Sequence, residues 1–326
     1  MIELLDLKVD VVFKDFFGDK SSKEILESFL NSVLGFEGDN LIEVEEFLDP
    51  RKMRVEVGKP STFVDLSVKT KGGERYIIEM QTYNHEGFDK RLLYYLGKDY
   101  TEQIEYHYHE PKTEKAKKKK PKKMIGWEEL PKVHIIAIID FHRNQREKNG
   151  ILNHNEVVET YRFKPEVSES NGHIFDQWKA TIVDLKKFKS KPVDKLDTDK
   201  EIWIYLLNDA PSLKQEEREL LKKDPVFQRA LERLERLSSD PKTRQAYETS
   251  VNEQRDHVAI LEAAQQNALE EGLKKGRQEG RQEGLQKGRQ EEKNQIALKM
   301  LKRGRPINEI VEDTGLSVEE IKNLQI

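Results

Sequence analysis

The chain has 326 residues, of which 36% are charged and 8% aromatic, and its formal net charge is −4 at pH 7. That length supports a sizeable core and two or three domains, and the balance of charge means that any basic surface must be local. The absence of cysteine excludes disulfides, thiolate nucleophiles and cysteine-ligated zinc or iron–sulfur centres. The lack of cysteine fits a reducing cytoplasm; no apolar run approaches the roughly 20 residues of a membrane span, and MIELLDLKVD lacks a basic-then-apolar signal pattern.

DVVFKDFFG (10–18) leads into SSKEILESFLNSVLG (21–35). Ile25, Leu26, Phe29, Leu30, Val33 and Leu34 keep a helical period, Ser21 or Ser22 is the expected cap, and Gly35 the stop. Residues 41–48 and 52–57 are short strand or turn material. FVDLSVKTKGGERYIIEMQ (63–81) alternates as a β-hairpin. Val64, Leu66 and Val68 should share one face, and Phe63, Asp65, Ser67 and Lys69 the other. Beyond the turn, Ile77, Glu79 and Gln81 oppose Ile78 and Met80. A two-residue Gly72-Gly73 loop would set Asp65 opposite Met80. A three-residue loop, Lys71-Gly72-Gly73, pairs Thr70 with Glu74 and sets Asp65 opposite Glu79, with Gly73 supplying the positive φ such loops require.

Acids in the middle of an apolar hairpin are unfavourable unless something uses them. A divalent cation is the obvious user, because hard cations take oxygen ligands. The plainer readings are an exposed Asp65 on an edge strand and a Glu79 that pairs across the hairpin with Lys69 or Arg75. Lys14 and Asp10, four residues apart, are compatible with a simple helix salt bridge.

GFDKRLLYYLGKDYTEQIEYHY (87–108) predicts a helix, with Arg91 toward a cleft and one of Tyr94 and Tyr95 in the core. Residues 109–126 carry Lys115, Lys117, Lys118, Lys119, Lys120, Lys122 and Lys123 with no apolar partner, the composition of a solvated loop or disordered insert. VHIIAIIDF (133–141) suits a central strand buried on both faces. Residues 155–163 and 180–188 are further strand candidates, and helices run from 201 to about Leu237. From Thr243 the chain is helical and charged. Gly272, Gly276, Gly280, Gly284 and Gly288 recur every four residues, each costing a helix about 0.8–1 kcal/mol relative to alanine; a charged linker and a stripe for a second helix are both compatible with this. The last segment predicts a break at 304–306, a helix over 307–313, a turn at Thr314-Gly315 and a helix over 317–324 opened by the capping box Ser317…Glu320. Helix-turn-helix describes its shape, but its acidic last helix suits protein docking better than a DNA groove. The eight histidines show no ligand spacing and are expected at the surface.

Taken together, Asp10-x-x-Phe13-Lys14 with Phe17, FLN (29–31), VDL (64–66), EMQ (79–81), Arg91 with Tyr94-Tyr95, IIAIIDF and LKRGRPINEIVEDTGLSVEEI resemble the PD-(D/E)XK nuclease superfamily. More narrowly they resemble the recombination-promoting nuclease/putative transposase family of bacteria. Each motif alone is common by chance; their order and combination are more specific. The resemblance covers roughly residues 1–240 and the terminal 30.

It implies an α/β (α+β) restriction-endonuclease-like core with a mixed central sheet flanked by helices and a helical C-terminal extension. The domains would be a nuclease core over 1–190, a helical subdomain over 191–240, a charged Gly-repeat helix over 241–299 and a small helix-turn-helix-like tail over 300–326. It implies Asp65 and Glu79 as metal-binding carboxylates, the Met80 backbone carbonyl as a third ligand, Mg²⁺ or Mn²⁺ as the metal, and DNA as the substrate. The superfamily places a lysine where Gln81 stands; Lys14, Lys69 or Arg91 would have to supply the missing charge, with Asp10 beside Lys14. The resemblance carries nothing over to the lysine-rich insert; on charge alone Lys117, Lys118, Lys119, Lys120, Lys122 and Lys123 would grip DNA non-specifically, and the weak, charged C-terminal helices would form a homodimer or larger assembly. Two function classes follow: a Mg²⁺-dependent endonuclease of low sequence specificity linked to recombination or mobile elements, and a catalytically weak DNA-binding or assembly protein that retains the fold.

Overall fold

Phenylalanine spacing organises the start of the chain. The computed structural model describes residues 2–48, 64–84, 87–108, 130–142, 156–163 and 175–324. Helix α1 (Asp10–Phe17) buries Val12, Phe13, Phe16 and Phe17. Helix α2 (Lys23–Leu34) buries Ile25, Leu26, Phe29, Leu30 and Val33 and ends at Gly35. The serines expected to cap α2 do not. Asp19 accepts the Ser21 N–H and opens a short 3-10 turn, and the Ser22 hydroxyl donates to the Asp19 carbonyl. A carboxylate is the stronger acceptor at a helix start.

Strands β1 (Val44–Leu48), β2 (Leu66–Thr70), β3 (Arg75–Gln81), β4 (Val133–Ile139), β5 (Val158–Phe163) and β6 (Phe175–Asp184) form one six-stranded sheet in the order β1-β2-β3-β4-β6-β5. The pairs β3–β4 and β4–β6 are parallel and the others antiparallel. Helix α3 (Phe88–Tyr108) lies in the connection between β3 and β4. β4 is buried along its whole length, as its apolar run predicts. β6 begins five residues earlier than expected and stops at Asp184, where a single 3-10 turn over Leu185–Lys187 begins. Its polar first half escaped the apolar pattern because charges there face outward; Lys132 pairs with Asp176 at 2.5 Å.

The sheet is the middle of three layers. On one face Phe88, Leu92, Tyr95 and Leu96 of α3 pack on Ile77, Val133, Ile135, Ala137, Ile139 and Ile182. On the other, Leu66, Val68, Ile78, Met80, Ile136, Ile138 and Val183 meet α1, α2 and three later helices: α4 (Asp199–Asp209), α5 (Gln215–Leu221) and α6 (Pro225–Ser239). Val64, expected beside Leu66, precedes β2 and falls in the α3-side cluster. Trp203 is fully buried among Phe17, Phe29 and Phe227, and its indole N–H donates to Ser28 at 3.1 Å. The motif residue Asn31 brackets the backbone of Ile42, accepting its N–H at 2.7 Å and donating to its carbonyl at 3.1 Å.

Buried cations finish the second core. Arg233 donates to the carbonyls of Phe16 and Asp15 at 2.9 and 2.5 Å and so caps the end of α1. Arg218 donates to the carbonyls of Leu213 and Ile2.

Two compact units divide the chain, Met1–Asn252 and Glu253–Ile326, and α7 (Pro241–Lys302) runs through that division. At its start Tyr247 and Val251 pack on the first unit's core, and Arg244 donates to the Glu3 carbonyl. The five glycines all lie within α7, with nothing near the position a Cβ would take. In the second unit Ala297, Ile310, Leu316 and Ile321 form a small core between the end of α7, α8 (Ile307–Thr314) and α9 (Val318–Asn323). The capping box Ser317…Glu320 is present in both directions.

One histidine departs from expectation. His134 lies within β4, 6% exposed, with Nε2 at 2.8 Å from the Thr181 hydroxyl and its ring 5.3 Å from that of Tyr76. Burial lowers its pKa from 6.5 to about 3. The unfolded chain therefore binds the extra proton throughout that window, and stability falls as pH drops through it. In urea unfolding followed by tryptophan fluorescence, the wild type should lose up to about 1.4 kcal/mol per pH unit more than His134→Gln between pH 6.5 and 4.5; parallel pH profiles would contradict this.

Candidate active site

The hairpin loop decides which side chains meet. Thr70 N–H donates to Glu74 O at 2.9 Å and Gly73 N–H to Thr70 O at 2.9 Å, with Gly73 at φ 88°. The loop is thus the three-residue one, and Leu66↔Ile78, Ser67↔Ile77, Val68↔Tyr76 and Lys69↔Arg75 pair across it. Continued by one residue, this register puts Asp65 opposite Glu79. Asp65 stands just before β2, where the ladder ends, and two reciprocal bonds close the gap. Met80 N–H donates to Asp65 Oδ2 at 2.7 Å, and Asp65 N–H to Glu79 Oε1 at 3.3 Å. In an extended strand a residue's N–H and C=O point to the same side, so the Met80 carbonyl also faces the side where β2 has ended. The two acids lie beside the carboxyl ends of β3, β4 and β6, the edge where open α/β sheets bind ligands.

Both acids are buried, at 8% and 6% exposure. Burial, together with the nearby Asp10 carboxyl, pushes Asp65 up to about 7 against the pull of Lys14. Glu79 is raised well above the ordinary glutamate range by burial and then by the charge of Asp65, with Arg91 opposing. Lys14 reaches in from α1, with Nζ 3.2 Å from Asp65 Oδ1 and 2.7 Å from Asp10 Oδ1. Burial works against its charge, but the bonds to Asp10 and the field of Asp65 outweigh that and leave its pKa raised. Gly18 permits this seating. A Cβ there would lie 2.5 Å from the Lys14 carbonyl and 2.7 Å from the tip of the Leu66 side chain, so a larger residue would disturb the end of α1 that carries Lys14.

Gln81 Oε1 accepts a hydrogen bond from Arg91 Nη2, and Gln81 Nε2 donates to the Tyr83 carbonyl at 3.1 Å. The structure therefore gathers Asp10, Lys14, Asp65, Glu79, Met80, Gln81 and Arg91 at one edge of the sheet. It does not bring Lys69 there. Lys69 pairs with Glu45 of β1 at 3.0 Å, and Arg75 with the buried Asp99 at 3.2 Å, so neither is the cross-strand partner of Glu79. Tyr95 is the buried tyrosine and Tyr94 the exposed one.

The donor set suits a hard divalent cation: two opposed carboxylates short of positive charge, with a backbone carbonyl on the same side. Among the described residues no group of three or more His, Cys, Asp or Glu is arranged to hold a metal. A cation at this pair would complete its shell with waters or phosphate oxygens, a habit of Mg²⁺.

A family model described as PD-(D/E)XK nuclease family transposase matches residues 7–264. The chain belongs to that family. No curated protein and no solved structure matches significantly. The match contains the entire sheet of this PD-(D/E)XK protein and both acids. Among the described residues no helix is long and apolar enough to cross a membrane. Lys117, Lys118, Lys119, Lys120, Lys122 and Lys123 lie outside the described residues.

Lys14, one of the cations that the resemblance offered, serves Asp65 as well as its helix neighbour Asp10. Sequence reasoning missed two features of this edge. The Tyr95 phenol is raised by burial and by the charge of Glu79, which places it in that acid's field. Asp140, whose N–H donates to the Gln81 carbonyl, meets Lys186 Nζ at 2.8 Å. An acid closing the apolar run IIAIID was the available signal for the last.

A raised carboxyl pKa costs stability once the pH passes the unfolded value, because the native state must then ionise a buried group. Without metal, Glu79→Gln should therefore stabilise the protein by on the order of 1 kcal/mol at pH 8. The gain should vanish at pH 4, where both states are protonated. Thermal melts in EDTA at both pH values check this; a Glu79→Gln variant less stable at pH 8 would contradict it.

Proposed function

We propose that this protein is a Mg²⁺-dependent DNA endonuclease of low sequence specificity, acting in recombination or on mobile elements. The observation that supports it best is the opposed pair Asp65 and Glu79, buried at the sheet edge with less cationic compensation than two carboxylates need. A scaffold would gain from replacing either acid; a metal site requires both. In this reading Asp65, Glu79 and the Met80 carbonyl hold Mg²⁺, or Mn²⁺ in its place. The bound ion would polarise a phosphate oxygen and lower the pKa of the attacking water. Lys14 fixes the orientation of Asp65 and supplies positive charge beside it, while Asp10 holds Lys14 between the two acids. The lysines of 117–123 would add non-specific attraction to the DNA backbone through counterion release. The work would be done in the cytoplasm.

Supercoiled plasmid tests the reading. The wild type should nick it with Mg²⁺ or Mn²⁺ and not with EDTA, and Asp65→Ala or Glu79→Ala should slow nicking by more than about 100-fold while the fold survives. Full activity in either variant would refute the site. The second reading, a DNA-binding or assembly protein with little turnover, draws on the glutamine at position 81. It would show as DNA binding in EDTA with no nicking under either metal.

The C-terminal unit is read as a dimerisation element. Ile260, Leu261, Leu269, Leu273 and Leu285 are exposed on α7, and five glycines at about 0.8–1 kcal/mol each leave that helix weak on its own. A second copy supplies the missing contacts. Truncation after Asn252, which keeps Arg244, Tyr247 and Val251 with the first core, should convert a dimer into a monomer in light scattering. Equal masses per particle would refute the assignment.

A further inference from the structure

We propose that Arg91 supplies the positive charge that contacts the scissile phosphate, and that Gln81 is the positioning residue that aims it. This rests on the nuclease reading and deepens it. The motif position that elsewhere in the superfamily holds lysine here holds an amide, and that amide is engaged at both ends. Its oxygen takes a guanidinium N–H and its nitrogen gives a hydrogen to the Tyr83 carbonyl. A guanidinium only donates and a carbonyl only accepts, so the orientation of the amide is unambiguous. With both ends engaged, Gln81 is poorly placed to activate a nucleophile itself.

The other two cations considered for the role are occupied. Lys69 is bound to Glu45, away from the acids, and Lys14 lies between Asp10 and Asp65. Arg91 is different. No ion pair among the described residues involves it, and its buried Nε has no hydrogen-bond partner among them. Its hydrogen bond to Gln81, two residues beyond Glu79 on β3, nevertheless holds it beside the acidic pair. It therefore combines a fixed place beside the acidic pair with donors still unused. A guanidinium binds phosphate oxygens through a planar fork and stays charged at any working pH. A lysine at position 81 would press an ammonium against that guanidinium. Glutamine is thus what an arginine at position 91 requires of its neighbour: a neutral acceptor that can hold it.

The experiment has a binding arm and a rate arm. Fluorescence anisotropy of a labelled duplex in EDTA gives the salt dependence of affinity without chemistry; Arg91→Ala should reduce that slope by about one phosphate contact, while Arg91→Lys keeps it. In Mg²⁺, Arg91→Ala should slow nicking at least about 100-fold, Arg91→Lys about tenfold because the fork is lost, and Gln81→Ala about tenfold. Gln81→Ala should cost nothing further in the Arg91→Ala background. Gln81→Lys combined with Arg91→Ala should recover at least about tenfold over Arg91→Ala alone, which a merely structural role for Gln81 would not give. An unchanged salt slope in Arg91→Ala, or additive losses for the two alanine variants, overturns the proposal. If the wild type nicks and Arg91→Ala nicks equally, the proposal fails and the nuclease reading stands. If the wild type never nicks, the nuclease reading fails, and the salt slope alone decides whether Arg91 touches phosphate.

Discussion

The loop between β2 and β3 is the constraint on which the candidate site depends. Strand side chains alternate, so a change of one residue in that loop would turn Glu79 away from Asp65 and toward the α1 side. Gly73 prevents the slip by holding a positive φ that closes a three-residue turn. The ladder then ends one residue before Asp65, and the Asp65 carboxylate becomes the acceptor for Met80 N–H where a strand carbonyl would otherwise stand. The backbone of one strand and the acid of the other are thereby locked together at the edge that receives a ligand.

The remaining contacts at that edge manage charge. Two carboxylates held in a low-dielectric setting repel each other and resist ionisation. The fold meets this from both sides of the sheet. Lys14 arrives from α1, and Arg91 arrives from α3, held by Gln81. Neither cation neutralises the pair completely, which leaves an electrostatic deficit suited to a divalent ion.

Much of this was legible in the sequence because it is local. The hairpin register followed from loop chemistry over nineteen residues of sequence, β4 from an unbroken apolar run, and α2 from helical spacing. What stayed hidden depends on distant partners. His134 looks like a surface histidine until Thr181 of β6 is beside it. The role of Arg233 at the end of α1 has no signature near either residue. The capping of α2 differs for another reason: a 3-10 turn opened by Asp19 precedes the helix, and the Ser22 hydroxyl is spent on the Asp19 carbonyl instead of on an α2 N–H. At the site, alternation and loop chemistry predicted that Asp65 and Glu79 would meet; Lys14 was offered only by the family resemblance, as one cation of three, since α1 and β2 come together only through tertiary packing.

The ties between the two ends of the first unit bear on the order in which the protein can assemble as it is made. Ser238 accepts the Leu5 N–H, Arg233 takes the carbonyls that end α1, and Arg218 and Arg244 take those of Ile2 and Glu3. A ribosome releases the acidic hairpin long before it releases those residues. Until then α1 has no cap, its phenylalanines lack Trp203 and Phe227, and Lys14 has no fixed seat. A nascent chain thus carries Asp65 and Glu79 early and a finished site late, because the contacts that complete the packing of α1 come from the last-made third of the first unit.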